Sequence, residues 1–506
     1  MILESRMRVS PSAPVRARFL LVCVAIAAAA CTSPGPGGSG SAGQGGTAGQ
    51  AGSGGSGSGG SAGAGGPAGA GGGAAGSSAG RGRSATAGTG GQSGQSGQSG
   101  LAGTGGSATG TGGSSAGGSG GSSAGSGGTA GAAPAVVIPG AGNCTPPIGA
   151  NAADARAAYN KFRTDIVTDA GAGGFLRVRR PNSSGAVVDS TVSEGIAYGM
   201  LLAVYADDQP TFDKFWQYSQ IHLDGNGLMN WYIGPSGETL GTGGASDSDE
   251  DIAFALIAAD ARWGGRGSLT TNYIDLAKTQ IGKIWQYEVD HGRNELFKPG
   301  DTGFDGSVIN ISYFAPAYYK VFGRVTGQTA NWNKVAATSY TVIEATLTAA
   351  NGNATNGLVP AWSTPAGMPM APAGTSHPTH HQLDSCRTPF RIALDYCWNA
   401  EPRALAYLQK INAFHAGVGA AAMVDGYDLN GNPRPQFVTA GGPRAASFVG
   451  TAGVGAMATG ATHAAFRAEA YASVATLMQL AGSTYYQTSW TALTLQMMTG
   501  LMPVPP

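Results

Sequence analysis

Charge is scarce in this chain. Of 506 residues, 29 are Lys or Arg and 29 are Asp or Glu, which is 11% in all and a formal net charge of +0. That balance excludes the basic footprint of a nucleic-acid binder and gives no grip on a strongly charged substrate. Cysteine is scarce too: five residues, none at the CxxC spacing of a zinc site. The apolar run Phe19–Ala30 is 12 residues long, too short to span a bilayer. Strand-like alternation is rare. Glycine, by contrast, is abundant, with 86 residues unevenly spread. From Thr32 to Pro134 nearly every residue is Gly, Ser, Ala, Thr or Gln, with no aromatic residue, no acid, and only Arg81 and Arg83 charged. Such a segment cannot bury enough apolar area to offset its ordering entropy.

That stretch reads as a flexible tether over residues 31–143, with a root-mean-square reach of about 55 Å. Before it, residues 1–30 carry Arg6, Arg8, Arg16 and Arg18, then the apolar run, then small residues ending at Cys31. This is export-signal architecture. It resembles a bacterial lipoprotein signal, which implies a lipid on Cys31 and attachment to the bacterial membrane at the cell surface or outer membrane. Plain secretion with cleavage near Ala30 is the alternative. Cys144, Cys386 and Cys397 then remain, too few for a disulfide framework. One bridge among them is open. Cys386 and Cys397 would lie about three turns apart on a shared helix, too far to bond.

From Cys144 to Pro506 no second linker intervenes. Apolar periodicity of three and four recurs, with helix starts near Asp154, Ser193, Thr211, Asp249, Tyr273, Asn310, Asn331, Cys386, Glu401, Ala446, His463 and Tyr485. Turn-rich pieces such as "DGNG" and "NGNATNG" separate them, and Asp425–Phe437 reads as a hairpin. Twelve helices suggest six helical hairpins in a ring, an all-α toroid whose loops could frame a polymer groove at one end. The 8 Trp and 17 Tyr fit a neutral polymer better than a charged one.

Acids gather in "GASDSDEDIAFALIAADARWG", Gly244–Gly264. Asp247 followed by Glu250 has the spacing of a capping box, and first-turn carboxylates face the positive end of the macrodipole. A cap needs one or two acids, and here there are four. An EF-hand loop is excluded, because its sixth and twelfth places hold Ile252 and Ala258. Two more carboxylates open apolar helices. Glu194 in "STVSEGIAYGMLLAVYADD" faces apolar surroundings, which raise a carboxyl pKa as a general acid requires. Asp384 in "HHQLDSCRTPFRIALDYCWN" lies three residues before Arg387, which would hold it ionised as a base. A dipole-stabilised Glu194 and a structural Asp384–Arg387 pair are the plain alternatives.

These stretches resemble family 8 of the glycoside hydrolases, bacterial enzymes acting on β-1,4-linked polysaccharides. The family signature A-[ST]-D-[AG]-D-x-x-[IM]-A-x-[SA]-[LIVM]-[LIVMG]-x-A-x-x-x-[FW] is matched from Ala245 to Trp263 except at Ser248. "SEGIAYGM", "GLMNWYIG", "ISYFAPAYY" and "SCRTPFRIALDY" follow in the family's order. The resemblance implies an (α/α)6 barrel in residues 144–506 and an inverting mechanism. It makes Glu194 the general acid, Asp384 the base that activates water, and Asp247 the carboxylate that grips the distorted sugar. Asp249, Glu250 and Asp251 are then expected to cap and charge the helix start, with Asp249 also supporting Asp247. Inversion needs room for a water beside the sugar, so the acid and base must come from distant segments, roughly 6.5–9.5 Å apart.

By the same resemblance Trp231 is a stacking platform. Tyr198 and Tyr313 are expected near the scissile bond and Arg387 in substrate binding or positioning a carboxylate. Phe304, Trp362 and Trp398 are further aromatic candidates. Leu383 stands where relatives often carry tyrosine, removing a hydroxyl that would place water. His377, His380 and His381 lack metal-ligand spacing and read as a solvated loop beside the substrate. No metal, cofactor or nucleic acid is expected, and the protein is expected to be a monomer. The leading reading is an inverting endo-β-1,4-glucanase. Xylan or mixed-linkage glucan is the alternative polymer, and Asp384 argues against the chitosanase branch. A non-catalytic glycan-binding lipoprotein is the third reading.

Overall fold

The computed structural model describes residues 142–181, 187–375, 379–435, 445–477 and 484–502. The export segment, Cys31 and the tether up to Ala141 lie outside the described residues, as do His377 and the end of the expected hairpin, Gln436 and Phe437.

Twelve α-helices are present among the described residues, and their starts match the sequence reading closely. They are α1 (Ala152–Ile166), α2 (Ser193–Tyr205), α3 (Gln209–Gln220), α4 (Ser246–Trp263), α5 (Tyr273–Tyr287) and α6 (Pro316–Thr326). They continue with α7 (Thr329–Thr346), α8 (Arg387–Asn399), α9 (Pro402–Val418), α10 (Ala446–Met457), α11 (Ala464–Leu477) and α12 (Tyr485–Met498). The largest displacement is α6. Asn310 does not open it but caps a 3-10 turn, Ile311–Tyr313, by accepting from the Ser312 N–H. The helix itself waits for Pro316, whose fixed φ suits a first helical position.

The even-numbered helices form a closed inner ring: α2 packs on α4, α4 on α6, α6 on α8, α8 on α10, α10 on α12, and α12 back on α2. The odd-numbered helices form the outer layer, α3 on α2, α5 on α4, α7 on α6, α9 on α8, α11 on α10 and α1 on α12. This is an (α/α)6 barrel. The two layers differ in sequence for a physical reason. An inner helix touches neighbours on every side, and α2 and α10 are buried along almost their whole length. An outer helix buries one face, as α1 does with Ala155, Ala158, Tyr159, Phe162 and Ile166. No helix of the described residues is long and apolar enough to cross a membrane.

Short antiparallel ribbons lead into the inner helices. Thr191–Val192 pairs with Tyr232–Ile233 ahead of α2. Ile309–Asn310 pairs with Trp362–Ser363. His381–Gln382 pairs with Gly426–Tyr427 ahead of a 3-10 turn, Leu383–Cys386, that runs into α8. The expected hairpin is present through its described part: Tyr427 pairs with Pro433, and the Asp428 N–H bonds the Asn432 carbonyl.

Cys144 is bonded to Cys397 at the end of α8, and Cys386 is a buried free thiol. The bridge closes a loop of 253 residues and pins the first described segment to an inner helix. Replacing both Cys144 and Cys397 by Ala should cost about 2–5 kcal/mol. Thermal melts with and without reductant check this: the wild type should lose stability in reductant, and the double variant should be indifferent to it.

Candidate active site

Three inner helices begin at the same end of the barrel with a carboxylate. Glu194 is in the first turn of α2, Asp247 in the first turn of α4, and Asp384 in the 3-10 turn entering α8. Helix N-termini favour negative charge, which eases the burial of all three. They line one cleft, together with Arg180, Ser193, Trp231, Gly244, Tyr313, Phe304, Trp362 and Tyr486 among others.

One guanidinium joins the three acids. Arg387 Nη1 donates to Glu194 Oε2 at 2.5 Å and to Asp247 Oδ2 at 2.6 Å, and Nη2 stands 3.7 Å from Asp384 Oδ1. Ser312 Oγ accepts from its Nε and Nη2, and the Tyr313 ring lies 4.9 Å below it. Arg387 is 0% exposed. It does not line the cleft, and it holds the carboxylates, in keeping with the reading that it positions one. Tyr198 does not line the cleft either. Its hydroxyl meets Arg387, its ring packs edge-on to Trp490 at 5.3 Å, and it is buried behind Glu194.

The acids differ in their surroundings. Glu194 Oε1 also accepts from the Tyr485 hydroxyl at 2.6 Å. Burial pushes its carboxyl up to about 7; Arg387 pulls it down and Asp247 pushes it further up. Burial likewise raises Asp247, against the pull of Arg387 and Arg391. Asp247 Oδ1 has no protein partner among the described residues, and the residue lines the cleft. Asp384 Oδ2 accepts from Asn310 Nδ2 at 2.8 Å.

The structure corrects the reading of the remaining acids of α4. Ala245 is the N-cap residue and no side chain caps this helix, so Asp247 is not the head of a capping box. Asp249, Glu250 and Asp251 do not charge an exposed helix end, because each is at most 1% exposed. Arg391, one turn beyond Arg387, grips Asp251 with both nitrogens at 2.5 and 2.9 Å and stands 3.3 Å from Glu250. Asp247 and Asp251 are likewise one turn apart, so α4 and α8 face each other as two stacked Arg–Asp rungs. Asp249 accepts from Gln280 and lies beside Glu288. Burial raises both carboxyls, and two acids can share a hydrogen bond only when one holds a proton.

Ser248, the departure from the family signature, has a role in this packing. Its hydroxyl donates to the Ala245 carbonyl and meets Ser193 Oγ at 2.6 Å, tying the start of α4 to the start of α2. Gly195, after the acid, leaves room for the Tyr485 ring, which a Cβ would approach to 3.0 Å.

Among the aromatic candidates, Trp231 lines the cleft, lying so close to Gly241 that a Cβ there would meet the indole at 2.5 Å. Phe304 and Trp362 also line it and stack on each other at 6.2 Å, and Tyr313 is tilted against Trp362. Trp398 lies elsewhere, stacked on Phe254 and Tyr318. His381 is not in a solvated loop: it is fully buried with Nδ1 2.9 Å from the Val359 carbonyl, and burial pushes it down to about 4. Among the described residues no group of three His, Cys, Asp or Glu is placed to hold a metal. Sequence reasoning missed Tyr485, Tyr486, Asn310, Ser312 and Arg391. Only Arg391 had a signal, its four-residue spacing from Arg387.

Removing the shared cation should be costly. Arg387→Met keeps the bulk and leaves buried carboxylates without a partner, an expected loss of about 3–5 kcal/mol near neutral pH. The carboxyls freed of Arg387 would have folded pKa values above their unfolded ones. The deficit should therefore shrink as pH falls and they protonate, and grow as pH rises. Denaturant melts of both proteins at pH 5 and pH 8 check the sign.

Similar proteins bear on this geometry. The family described as "Glycosyl hydrolases family 8" matches residues 146–500. The chain is 38% identical over 354 residues to Endoglucanase A of Acetivibrio thermocellus, covering 69% of this chain and 70% of the relative. It is 34% identical over 348 residues to Endoglucanase 2 of Ruminiclostridium josui, covering 68% and 70%. Among solved structures, a beta-1,3-1,4-glucanase from Paenibacillus sp. X4 superposes with a TM-score of 0.62 at 26% identity, over 72% of this chain and 96% of that one. The match runs through all three carboxylate-bearing segments, and the chain belongs to family 8 of the glycosyl hydrolases.

Proposed function

We propose that this glycoside hydrolase is an inverting endo-β-1,4-glucanase in which Glu194 is the acid, Asp384 the base and Asp247 the sugar-gripping carboxylate. One observation carries the assignment: three carboxylates from distant segments line one cleft around a single buried guanidinium. Glu194, pushed up to about 7, holds a proton for the leaving oxygen at mildly acidic to neutral pH. Asp384 takes the proton of the attacking water. The unpartnered Oδ1 of Asp247 accepts from a hydroxyl of the sugar whose ring flattens in the transition state. Trp231 and the Phe304–Trp362 stack supply apolar faces for the sugar rings on either side of the reaction.

β-1,4-Glucan as the polymer is supported by the two endoglucanases, each similar over about two thirds of this chain. The Paenibacillus structure favours mixed-linkage glucan as the second reading. Reducing-end release from soluble cellulose, lichenan, xylan and chitosan separates them; no release from any would sink the enzymatic reading. We further propose that residues 144–506 are the catalytic domain, exported and held at the bacterial surface by a lipid on Cys31 through the tether. The arginines, the short apolar run and the small residues before Cys31 support this, and palmitate labelling that survives Cys31→Ser would refute it.

Glu194→Gln and Asp384→Asn should each lower kcat roughly 10²–10⁴-fold with folding intact. Asp247→Asn should lower kcat/KM about 100-fold, roughly 2.7 kcal/mol of transition-state stabilisation, because hydrogen bonds to the ionised group are the stronger. Fresh product followed by proton NMR should appear as the α-anomer; the β-anomer first would mean retention.

The pH profile tests Glu194 separately. An acid must be protonated to act, so kcat/KM should fall as pH rises through about 7. The Tyr485 hydroxyl lowers this pKa. In Tyr485→Phe the alkaline limb should therefore move to higher pH, and an unmoved limb would detach Tyr485 from the acid.

A further inference from the structure

We propose that Asn310 is the positioning residue of the base: it fixes the carboxylate plane of Asp384 and leaves Oδ1 as the atom that takes the proton from water. The proposal rests on the reading of Asp384 as base. Asn310 is 1% exposed and does not line the cleft, so it acts through Asp384 and not on substrate.

Its amide has one orientation. Asn310 Oδ1 accepts from the Ser312 backbone N–H at 3.0 Å and from the Ser312 hydroxyl at 2.8 Å. A backbone N–H can only donate, so the atom facing it must be the amide oxygen. The NH₂ group is then the one that faces Asp384, 2.8 Å from Oδ2. The serine proton is committed in the same way. Ser312 Oγ accepts twice from Arg387, at 3.2 and 2.9 Å, so its own hydrogen goes to Asn310. The result is a relay of donors from Arg387 through Ser312 and Asn310 to Asp384 Oδ2, and Arg387 Nη2 also stands 3.7 Å from Asp384 Oδ1. Every hydrogen bond of the relay points toward Asp384.

The consequence lies in the two oxygens of the base. Oδ2 always receives an N–H, so a proton on Oδ2 would compete with that bond. Oδ1 receives no hydrogen bond from the described residues, and Asp384 lines the cleft. In the reaction the water oxygen bonds to the anomeric carbon while its proton passes to Oδ1. The bond from that carbon to the leaving oxygen breaks, and that oxygen takes the proton of Glu194. The donor on Oδ2 is a neutral amide. It orients the carboxylate without adding a further cation to a site that already holds Arg387. The ionisable groups facing Asp384 are Glu194 on α2, Asp247 on α4, Tyr313, Cys386 and Arg387.

Asn310→Asp is the near-isosteric test. The Ser312 N–H would still hold one oxygen, and a second oxygen would replace the NH₂ facing Oδ2. Two carboxylates so placed share a proton. The acidic limb of kcat/KM should move up by about one pH unit or more, kcat should fall about tenfold or more, and KM should stay within about twofold of wild type. Circular dichroism checks the fold. If this variant does not fold, Asn310→Ala is measured in its place, with the same loss of kcat at steady KM expected and an unchanged kcat overturning the proposal. Asp384→Asn is assayed alongside. An inactive Asp384→Asn with an unmoved limb and normal kcat in Asn310→Asp would overturn the positioning role and leave the base in place. A near-normal Asp384→Asn would overturn both, since Asn310 would then position no base.

Discussion

The site depends on one buried cation. Arg387 has no exposed surface and faces Glu194, Asp247 and Asp384 at once. Carboxylates taken out of water are costly unless paired, so without this guanidinium the three could not share one cleft wall as anions. Its planar fork matters as much as its charge. Nη1 reaches two acids, while Nε and Nη2 are both spent on Ser312. An ammonium group offers no such fixed fan of donors. The Tyr313 ring closes the remaining face.

The barrel supplies the place for that cation. Its inner helices begin at the same end, and their N-termini bring partial positive charge to where the acids sit. The i, i+4 spacing then repeats the arrangement one turn deeper, where Arg391 meets Asp251 and Glu250. Five carboxyl groups thus face two guanidinium groups along the interior of α2, α4 and α8. They cannot all be ionised at that ratio. Burial pushes Glu250 well above its ordinary value and Glu194 to about 7. Burial, with the excess of acid over base adding to it, is what keeps protons available there, and the proposed acid is one of the groups that holds one.

Much of this was legible in the sequence, and the rest was hidden for identifiable reasons. Helix number and order followed from apolar spacing of three and four and from the turn-rich pieces between the helices. The three catalytic candidates stood out as acids opening apolar helices, and the resemblance to the family supplied their expected roles. The role of Asp249, Glu250 and Asp251 was misread because their partners, Gln280, Glu288 and Arg391, come from other helices. A capping box is a local inference, and burial overrode it. Tyr485 stands 291 residues from Glu194 in sequence, and Asn310 74 from Asp384. Neither carries a local pattern, since closing the ring is what brings them in. The Cys144–Cys397 pairing was hidden for the same reason.

The proposed acid and base need opposite protonation states within one cleft, and their surroundings differ to that end. Glu194 and Asp247 each accept one N–H of Arg387 Nη1. Burial raises the Glu194 carboxyl, and the negative charge of Asp247 adds to the cost of ionising it. The Tyr485 hydroxyl offsets part of that cost without removing it. Asp384 accepts no hydrogen bond from Arg387. Its hydrogen bond comes from Asn310, whose orientation the backbone of Ser312 fixes, and Arg387 stands further off. The proposed acid is thus kept protonated by burial and a neighbouring negative charge against the pull of two donors, while the proposed base keeps one neutral donor of fixed orientation.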